Sequence, residues 1–191
     1  MKMRRTGSKK IRQRSAQAAL GKHLSHAKII GLGNPWVNLM ATKEVILTLA
    51  YISKKFPKAA KSIRKIIFLP ASWRFWHPKD WMVHATTVFT SMRNSGSSMM
   101  FFYIDATDSP SKMWKHIALH EFGHHLDFMS DGDLSTTFRE HFPTVSFEEG
   151  DVQEQFSEMF ALAFGDLIVL DPSPMLNSVL ERVEEFERSI E

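Results

Sequence analysis

The chain has 191 residues, of which 43% are hydrophobic and 12% aromatic, and it carries a net charge of +3. This length and composition suit one globular domain with a tail. The chain has no cysteine, which excludes a disulfide framework and thiolate metal ligands. A metal ion in this protein must therefore be held by His, Asp or Glu.

The charge is divided unevenly along the chain. Residues 1–120 hold 21 lysines and arginines against four acids, whereas residues 121–191 hold three arginines against 17 acids. Seven of the basic residues fall within the first fourteen positions. Such a run repels itself and has few apolar residues to bury. We therefore expect a flexible basic arm at residues 1–30, and a folded domain at residues 31–191.

The first elements predicted after the arm are a helix and a strand. Asn34 can cap a helix and Pro35 suits its first turn, so we expect a helix from there to about Phe56. Residues 66–69 are all apolar, and most of them are β-branched or aromatic. This composition predicts a short buried strand.

Two further strands are predicted at residues 81–90 and 99–104, which are rich in β-branched, aromatic and other apolar side chains. The turn cluster at residues 93–97 between them indicates an antiparallel hairpin. Helices follow. They are predicted from Pro110 to about Met129, from Asp151 to about Leu170, and from Pro174 onwards. Strands followed by helices indicate the α+β class, with a small, mostly antiparallel sheet packed on the helices.

The motif with the clearest chemistry is His120-Glu121-Phe122-Gly123-His124. Residues four apart lie on the same face of a helix, so the two imidazoles can bind one metal ion. Glu121 then lies beside an open position of a zinc ion, where it can accept a proton from the bound water and pass it to a leaving amine. A chance match is expected roughly 0.03 times in a chain of this composition, so the motif is specific.

The identity of the third ligand stays open on these grounds. His141 could reach the ion if the chain folds straight back. Glu154 and Glu158 are one turn apart on the next predicted helix, so one could bind the ion while the other holds a ligand by a hydrogen bond. Glu154 also fits a capping box with Asp151. His116, one turn before the motif, is interpreted as a solvated or supporting histidine.

The segment at residues 120–127, HEFGHHLD, and the segment at residues 154–161, EQFSEMFA, together resemble a known family. They are similar to the gluzincin metallopeptidases that include the catalytic domain of anthrax lethal factor. The resemblance covers about residues 99–165 and implies a zincin-like domain. The spacing between the histidines and the glutamate helix is also similar to that of the repressor-cleaving peptidases of mobile elements.

The resemblance implies a role for each matching residue. His120, His124 and Glu154 would bind Zn²⁺, and Glu121 would be the general acid and base. Glu158 and Asp127 would hold the metal ligands from behind by hydrogen bonds.

One position departs from the pattern of that group. Its members commonly carry a tyrosine seven residues before the third ligand, where the hydroxyl stabilises the oxyanion, and this chain has Phe147 there. The loss of one such donor costs on the order of 10²–10³ in rate. Either another donor, His141 or Arg139, replaces it, or catalysis is weakened.

The sequence therefore predicts a zinc metalloendopeptidase whose extended peptide or protein substrate adds to an exposed sheet edge. One alternative is a non-catalytic zincin-fold module of a structural or virion-associated kind. Another is a nucleic-acid-associated protease in which the basic residues 1–28 bind nucleic acid or an acidic surface. No secretory signal or apolar run of about 18 residues is seen, so we expect a cytoplasmic or virion-associated protein without a membrane partner.

Overall fold

The structure of the protein is a computed structural model. It describes residues 14–32, 34–76, 84–90, 97–105, 107–108, 112–142, 152–165 and 174–190. Within these ranges the protein combines one small sheet with several helices, in agreement with the predicted α+β class. No helix in these ranges is both long and apolar enough to cross a membrane.

Four strands form the sheet. They are β1 (Lys28–Ile30), β2 (Ile63–Pro70), β3 (Ala85–Thr90) and β4 (Ser97–Ile104), in the spatial order β1-β2-β4-β3. β3 and β4 pair antiparallel, which confirms the predicted hairpin. The pairs β1–β2 and β2–β4 are parallel, so the prediction of a mostly antiparallel sheet is wrong. Parallel neighbours need a crossover connection, and the helix between β1 and β2 provides one.

The described helices and helical turns follow in chain order. They are α1 (residues 14–19), α2 (Gly21–Leu24), α3 (Leu39–Lys55), α4 (Pro57–Ala60), the 3₁₀ turn Ala71–Trp76, α5 (Lys112–Met129), α6 (Asp133–His141), α7 (Val152–Phe164) and α8 (Pro174–Ser189). The sequence predicted α3, α5, α7 and α8 but not α6. α7 ends at Phe164 rather than near residue 170. The predicted capping residue Asp151 lies outside the described residues.

The folded domain begins earlier than predicted. α1, α2 and β1 all lie before residue 31, and Leu20, Leu24, Ala27 and Ile29 are buried in the hydrophobic core. β1 pairs with β2 through Lys28, Ile29 and Ile30. The boundary of the predicted flexible arm at residue 30 is therefore wrong, because apolar residues of this segment form part of the hydrophobic core. The most basic part, residues 1–13, lies outside the described residues.

One hydrophobic core joins the sheet to the helices. Alternate residues of the strands are buried on one face, namely Ile29, Ile66, Phe68, Met100 and Phe102. They form a single cluster with apolar residues of α3, α5 and α7. Since successive side chains of a strand point to opposite faces, this pattern places the helices against one side of the sheet. α5 therefore has one side fixed on the core.

The start of α3 supplies a test of the corrected helix boundary. Asn38, not Asn34, is the N-cap, and its Oδ1 accepts the backbone N–H groups of Met40 at 2.8 Å and Ala41 at 3.1 Å. We expect Asn38→Ala to lower the free energy of unfolding by about 1 kcal/mol, because two backbone donors lose their acceptor.

Asn34→Ala is the matched control. The Asn34 side chain accepts the Trp36 N–H at 3.1 Å within a turn before the helix, so its loss should cost less. Denaturant unfolding of both variants measures the difference. Equal losses, or a larger loss for Asn34→Ala, would contradict the assignment of Asn38 as the cap.

Candidate metal centre

The candidate site is a cleft between α5, β3 and α7. Four side chains of α5 at four-residue spacing line it, namely His116, His120, His124 and Phe128. Residues of β3 form another wall, and α7 adds Gln153, Glu154 and Glu158. The cleft has a volume of about 590 Å³. The opposite face of α5 is fixed by buried apolar side chains such as Phe122 and Leu126, so the histidine face is directed into the cleft.

α5 and α7 approach one another closely beside these histidines. A Cβ atom on Gly123 would lie 2.9 Å from Ser157 Cα and 3.2 Å from Ser157 Cβ. A neighbouring Cα atom cannot yield as the end of a flexible side chain can, so only glycine fits here without displacing a helix. Gly123 adjoins His124, and Ser157 lies between Glu154 and Glu158. The contact therefore brings the two glutamates opposite the histidines.

Three side chains converge at one point of the cleft. His120 Nε2 and His124 Nε2 are 3.0 Å apart. The Glu154 carboxylate spans both, with Oε2 3.1 Å from His120 Nε2 and Oε1 3.2 Å from His124 Nε2. Two imidazole nitrogens at this separation repel one another unless a proton or another cation lies between them. The group His120, His124 and Glu154 could therefore hold a metal ion.

Without a metal ion, the histidines and glutamates stabilise one another as ion pairs. Burial by itself lowers the pKa of His120, but hydrogen bonds to Glu154 and Glu158 outweigh it and raise this pKa to about 9. Hydrogen bonds from His120 and then His124 hold the pKa of Glu154 well below its usual range. His116 and His120 together lower the pKa of Glu158 to about 2. The cluster thus favours carboxylates that are ionised and can accept a cation.

Glu121 has different surroundings from Glu154. Its side chain is buried, and burial raises its pKa although the nearby His124, Thr87 and His120 act in the opposite direction. Thr87 Oγ1 donates to Glu121 Oε2 at 2.7 Å. Glu121 lines the same cleft but is not one of the three converging residues. The geometry leaves this carboxylate next to the group that could hold a metal ion, as its predicted role requires.

Glu158 contacts two histidines of the cleft, His116 and His120. Its Oε2 atom lies 3.3 Å from His120 Nδ1 and 3.0 Å from His116 Nε2. A carboxylate that accepts the Nδ1–H group of a histidine fixes the ring with Nε2 directed the other way. In the structure, Nε2 of His120 is indeed the atom directed at Glu154. The predicted roles of the two glutamates are compatible with these positions.

Asp127 and His141 are not among the three converging residues. Asp127 Oδ1 accepts the backbone N–H of Ser135 at 2.8 Å, which ties the end of α5 to the start of α6. Its predicted support of a zinc ligand stays a prediction. The Nδ1–H of His141 donates to Thr137 O at 2.9 Å, and its Nε2 lies 3.4 Å from Arg182 on α8. His141 lines a different crevice from the histidine cleft, a position at odds with the predicted role of an oxyanion donor.

Sequence patterns missed the contribution of β3. Thr87 contacts Glu121, and His84, Ala85 and Thr86 also line the cleft. Nothing local marks these residues, because a threonine in a β-strand is ordinary and its neighbour on α5 is 34 positions away. Phe147, the residue that departs from the gluzincin pattern, lies outside the described residues.

Compared with protein-family models, with curated proteins and with solved structures, the chain gives no match. The gluzincin resemblance therefore stays a prediction that rests on the motif residues alone. The function of the cleft has to be argued from its own geometry.

The raised pKa of His120 predicts a pH dependence of stability in the metal-free protein. Protonated His120 stabilises the fold, and a raised pKa means that this contribution is complete below about pH 6.5 and is lost as the pH rises through about 9. With a chelator present, we expect the melting temperature to fall over this range. His120→Gln should flatten this fall, since a glutamine does not titrate. A wild-type curve parallel to that of the variant would contradict the ion-paired arrangement.

Proposed function

We propose that this protein is a zinc-dependent metalloendopeptidase. The observation that carries the proposal is the combination of three converging donors, His120, His124 and Glu154, with a fourth group, Glu121, that is buried beside them and not part of the donor set. A purely structural metal site has no need of the fourth group. A hydrolytic site needs it as the general base.

The donor set suits zinc. Two histidines and one glutamate leave a fourth position open, as catalytic zinc sites do, and no thiolate is available in this chain. Tetrahedral ligands at about 2.0–2.1 Å from zinc lie roughly 3.3 Å from one another. The two histidine nitrogens are 3.0 Å apart, and they lie 3.1 and 3.2 Å from the two different oxygens of Glu154. Small side-chain adjustments would therefore accommodate the ion.

Zinc in such a site activates water and polarises the carbonyl group under attack. Glu121 would accept the proton of the attacking water and then donate it to the amine that leaves. Both halves of this task favour a carboxyl group with a pKa nearer to the working pH than usual, and burial raises the pKa of Glu121 in that direction. His116, through Glu158, would hold the ring of His120 in place.

The free edge of β3 would bind the substrate. Tyr103 N–H donates to His84 O, so His84 faces β4, and in a regular antiparallel pair every second residue does the same. The backbone groups of Ala85, Thr87 and Phe89 then point away from β4. β3 is the last strand of the described sheet on this side, and its residues line the cleft. An extended peptide could pair with this edge and cross the metal centre.

Of the alternatives, a non-catalytic module would not require Glu121 in its buried position. A nucleic-acid-associated protease stays a proposal that depends on the basic residues 1–28, of which residues 1–13 lie outside the described residues. Both alternatives share the metal centre. A peptide-cleavage assay distinguishes the non-catalytic module from the proposed function. A nucleic-acid-binding assay distinguishes the nucleic-acid-associated protease from it.

Replacement of each of the two glutamates of α7 should lower the affinity for zinc to a different extent. Glu154→Ala removes a proposed metal ligand. Glu158→Ala removes only a hydrogen bond to a ligand, and should lower the affinity for zinc by about 10–100-fold. We expect the larger loss for Glu154→Ala, measured by competition with a chelating dye. Glu184→Ala, on the exposed face of α8, is the control and should bind zinc as the wild type does. The reverse ranking would make Glu158 the ligand.

Glu121→Gln tests the proposed chemistry itself. The amide cannot accept a proton, so turnover of a mixed-peptide substrate should fall by about 10²–10⁴-fold while one zinc ion per chain is retained. A chelator should abolish wild-type turnover, and added zinc should restore it. Turnover that survives in Glu121→Gln would contradict the proposed role of Glu121 as general base. Absence of cleavage in the zinc-loaded wild type would favour the non-catalytic alternative.

A further inference from the structure

Thr87 connects the edge of the sheet to the active-site helix. Its Oγ1 lies 2.7 Å from Glu121 Oε2 and 3.1 Å from the backbone oxygen of the same residue. The acceptor side chain is only 5% exposed. A short hydrogen bond to a carboxylate away from solvent is both strong and directional, because water competes for it poorly.

This hydrogen bond fixes a side chain that the helix alone leaves free to turn. α5 sets the position of the Glu121 Cα atom, but three rotatable bonds separate that atom from the carboxylate oxygens. A catalytic group that is misplaced by about 1 Å can cost roughly 10²-fold in rate. The Thr87 hydroxyl holds Oε2 from the β3 side, so one of the two carboxylate oxygens has a fixed position.

The same residue takes part in the edge that would bind a peptide. The backbone N–H and C=O groups of Thr87 point to the free side of β3, whereas its side chain points to α5. A peptide strand that pairs with this edge is therefore joined to the Glu121 carboxylate through a single residue. Movement of β3 on peptide binding would move the hydroxyl that orients Glu121.

We propose that Thr87 is a positioning residue, whose hydroxyl orients the Glu121 carboxylate while its backbone binds the substrate strand. This inference rests on the proposed peptidase function. It differs from a purely structural role for Thr87, in which the hydroxyl only contributes to stability and turnover follows the amount of folded protein.

Three variants separate these roles. Thr87→Val keeps the size of the side chain and removes the hydroxyl, whereas Thr87→Ser keeps the hydroxyl. Thr42→Val is the matched control, because the Thr42 hydroxyl also donates a hydrogen bond, to Asn38 O at 2.7 Å within α3 and its cap, and Thr42 does not line the cleft. With zinc loaded, we expect Thr87→Val to lower kcat about 10–100-fold with little change in KM or in zinc affinity. Thr87→Ser should restore most of the rate, and Thr42→Val should leave kcat unchanged.

A second readout needs neither zinc nor activity. In metal-free protein labelled with ¹³C at the glutamate carboxyl carbons, Glu121→Gln identifies the Glu121 resonance. We expect Thr87→Val to shift this resonance at constant pH, since the carboxylate loses its hydrogen bond. Thr87→Ser should return the resonance towards its wild-type position, and Thr42→Val should not move it.

The outcomes distinguish this inference from the function on which it rests. If the wild type cleaves peptides and Thr87→Val does so at the same kcat, or Thr87→Ser rescues neither rate nor resonance, the positioning role is wrong. If the wild type cleaves no peptide, the proposed function fails. The Glu121 resonance then tests by itself whether the Thr87 hydroxyl holds the Glu121 carboxylate. An unshifted Glu121 resonance in Thr87→Val would overturn the inference in either case.

Discussion

The geometry of the candidate metal centre depends on the close contact between α5 and α7 at Gly123 and Ser157. A Cβ atom on Gly123 would be 2.9 Å from Ser157 Cα, so any larger residue would push the helices apart. Metal ligands tolerate errors of only about 0.2 Å in distance. The glycine within the His-Glu-Phe-Gly-His motif is thus a packing requirement, because it sets the distance from the histidines of one helix to the glutamates of the other. Stacked Phe122 and Phe160 hold the same helix pair from the core side.

Two carboxylates that line the same cleft receive opposite properties from their surroundings. Glu154 is exposed and hydrogen-bonded to two histidines, so its pKa falls and it stays ionised. Glu121 is buried against β3, so its pKa rises. An ionised carboxylate suits a metal ligand, and one that can take up and release a proton suits a general base. The surroundings therefore give the two carboxyl groups opposite pKa shifts, although the two residues have the same side chain.

β3 matters to the site because, within the described residues, one of its edges has no neighbouring strand and one of its faces packs on α5. Its pairing with β4 fixes which backbone groups point outward, and its contact with α5 directs Thr87 at Glu121. The parallel pairing of β2 with β4 places β4 inside the sheet, so that β3 rather than β4 becomes the edge. A sheet of the predicted, mostly antiparallel kind would not have required this order. The topology therefore decides which strand lies at the edge of the described sheet beside the cleft.

The sequence by itself determined the features that depend on local spacing. His120 and His124 share a helix face because an α-helix repeats every 3.6 residues, and the turn residues between two apolar runs defined the hairpin. Tertiary structure decided what residue spacing had left open or had missed. It placed Glu154 rather than His141 at the histidines, put residues 14–30 in the core and brought Thr87 to Glu121. These outcomes depend on how elements far apart in the chain pack and on a parallel strand order, for which adjacent residues carry no signal, whereas helix periodicity and turn chemistry act between neighbours.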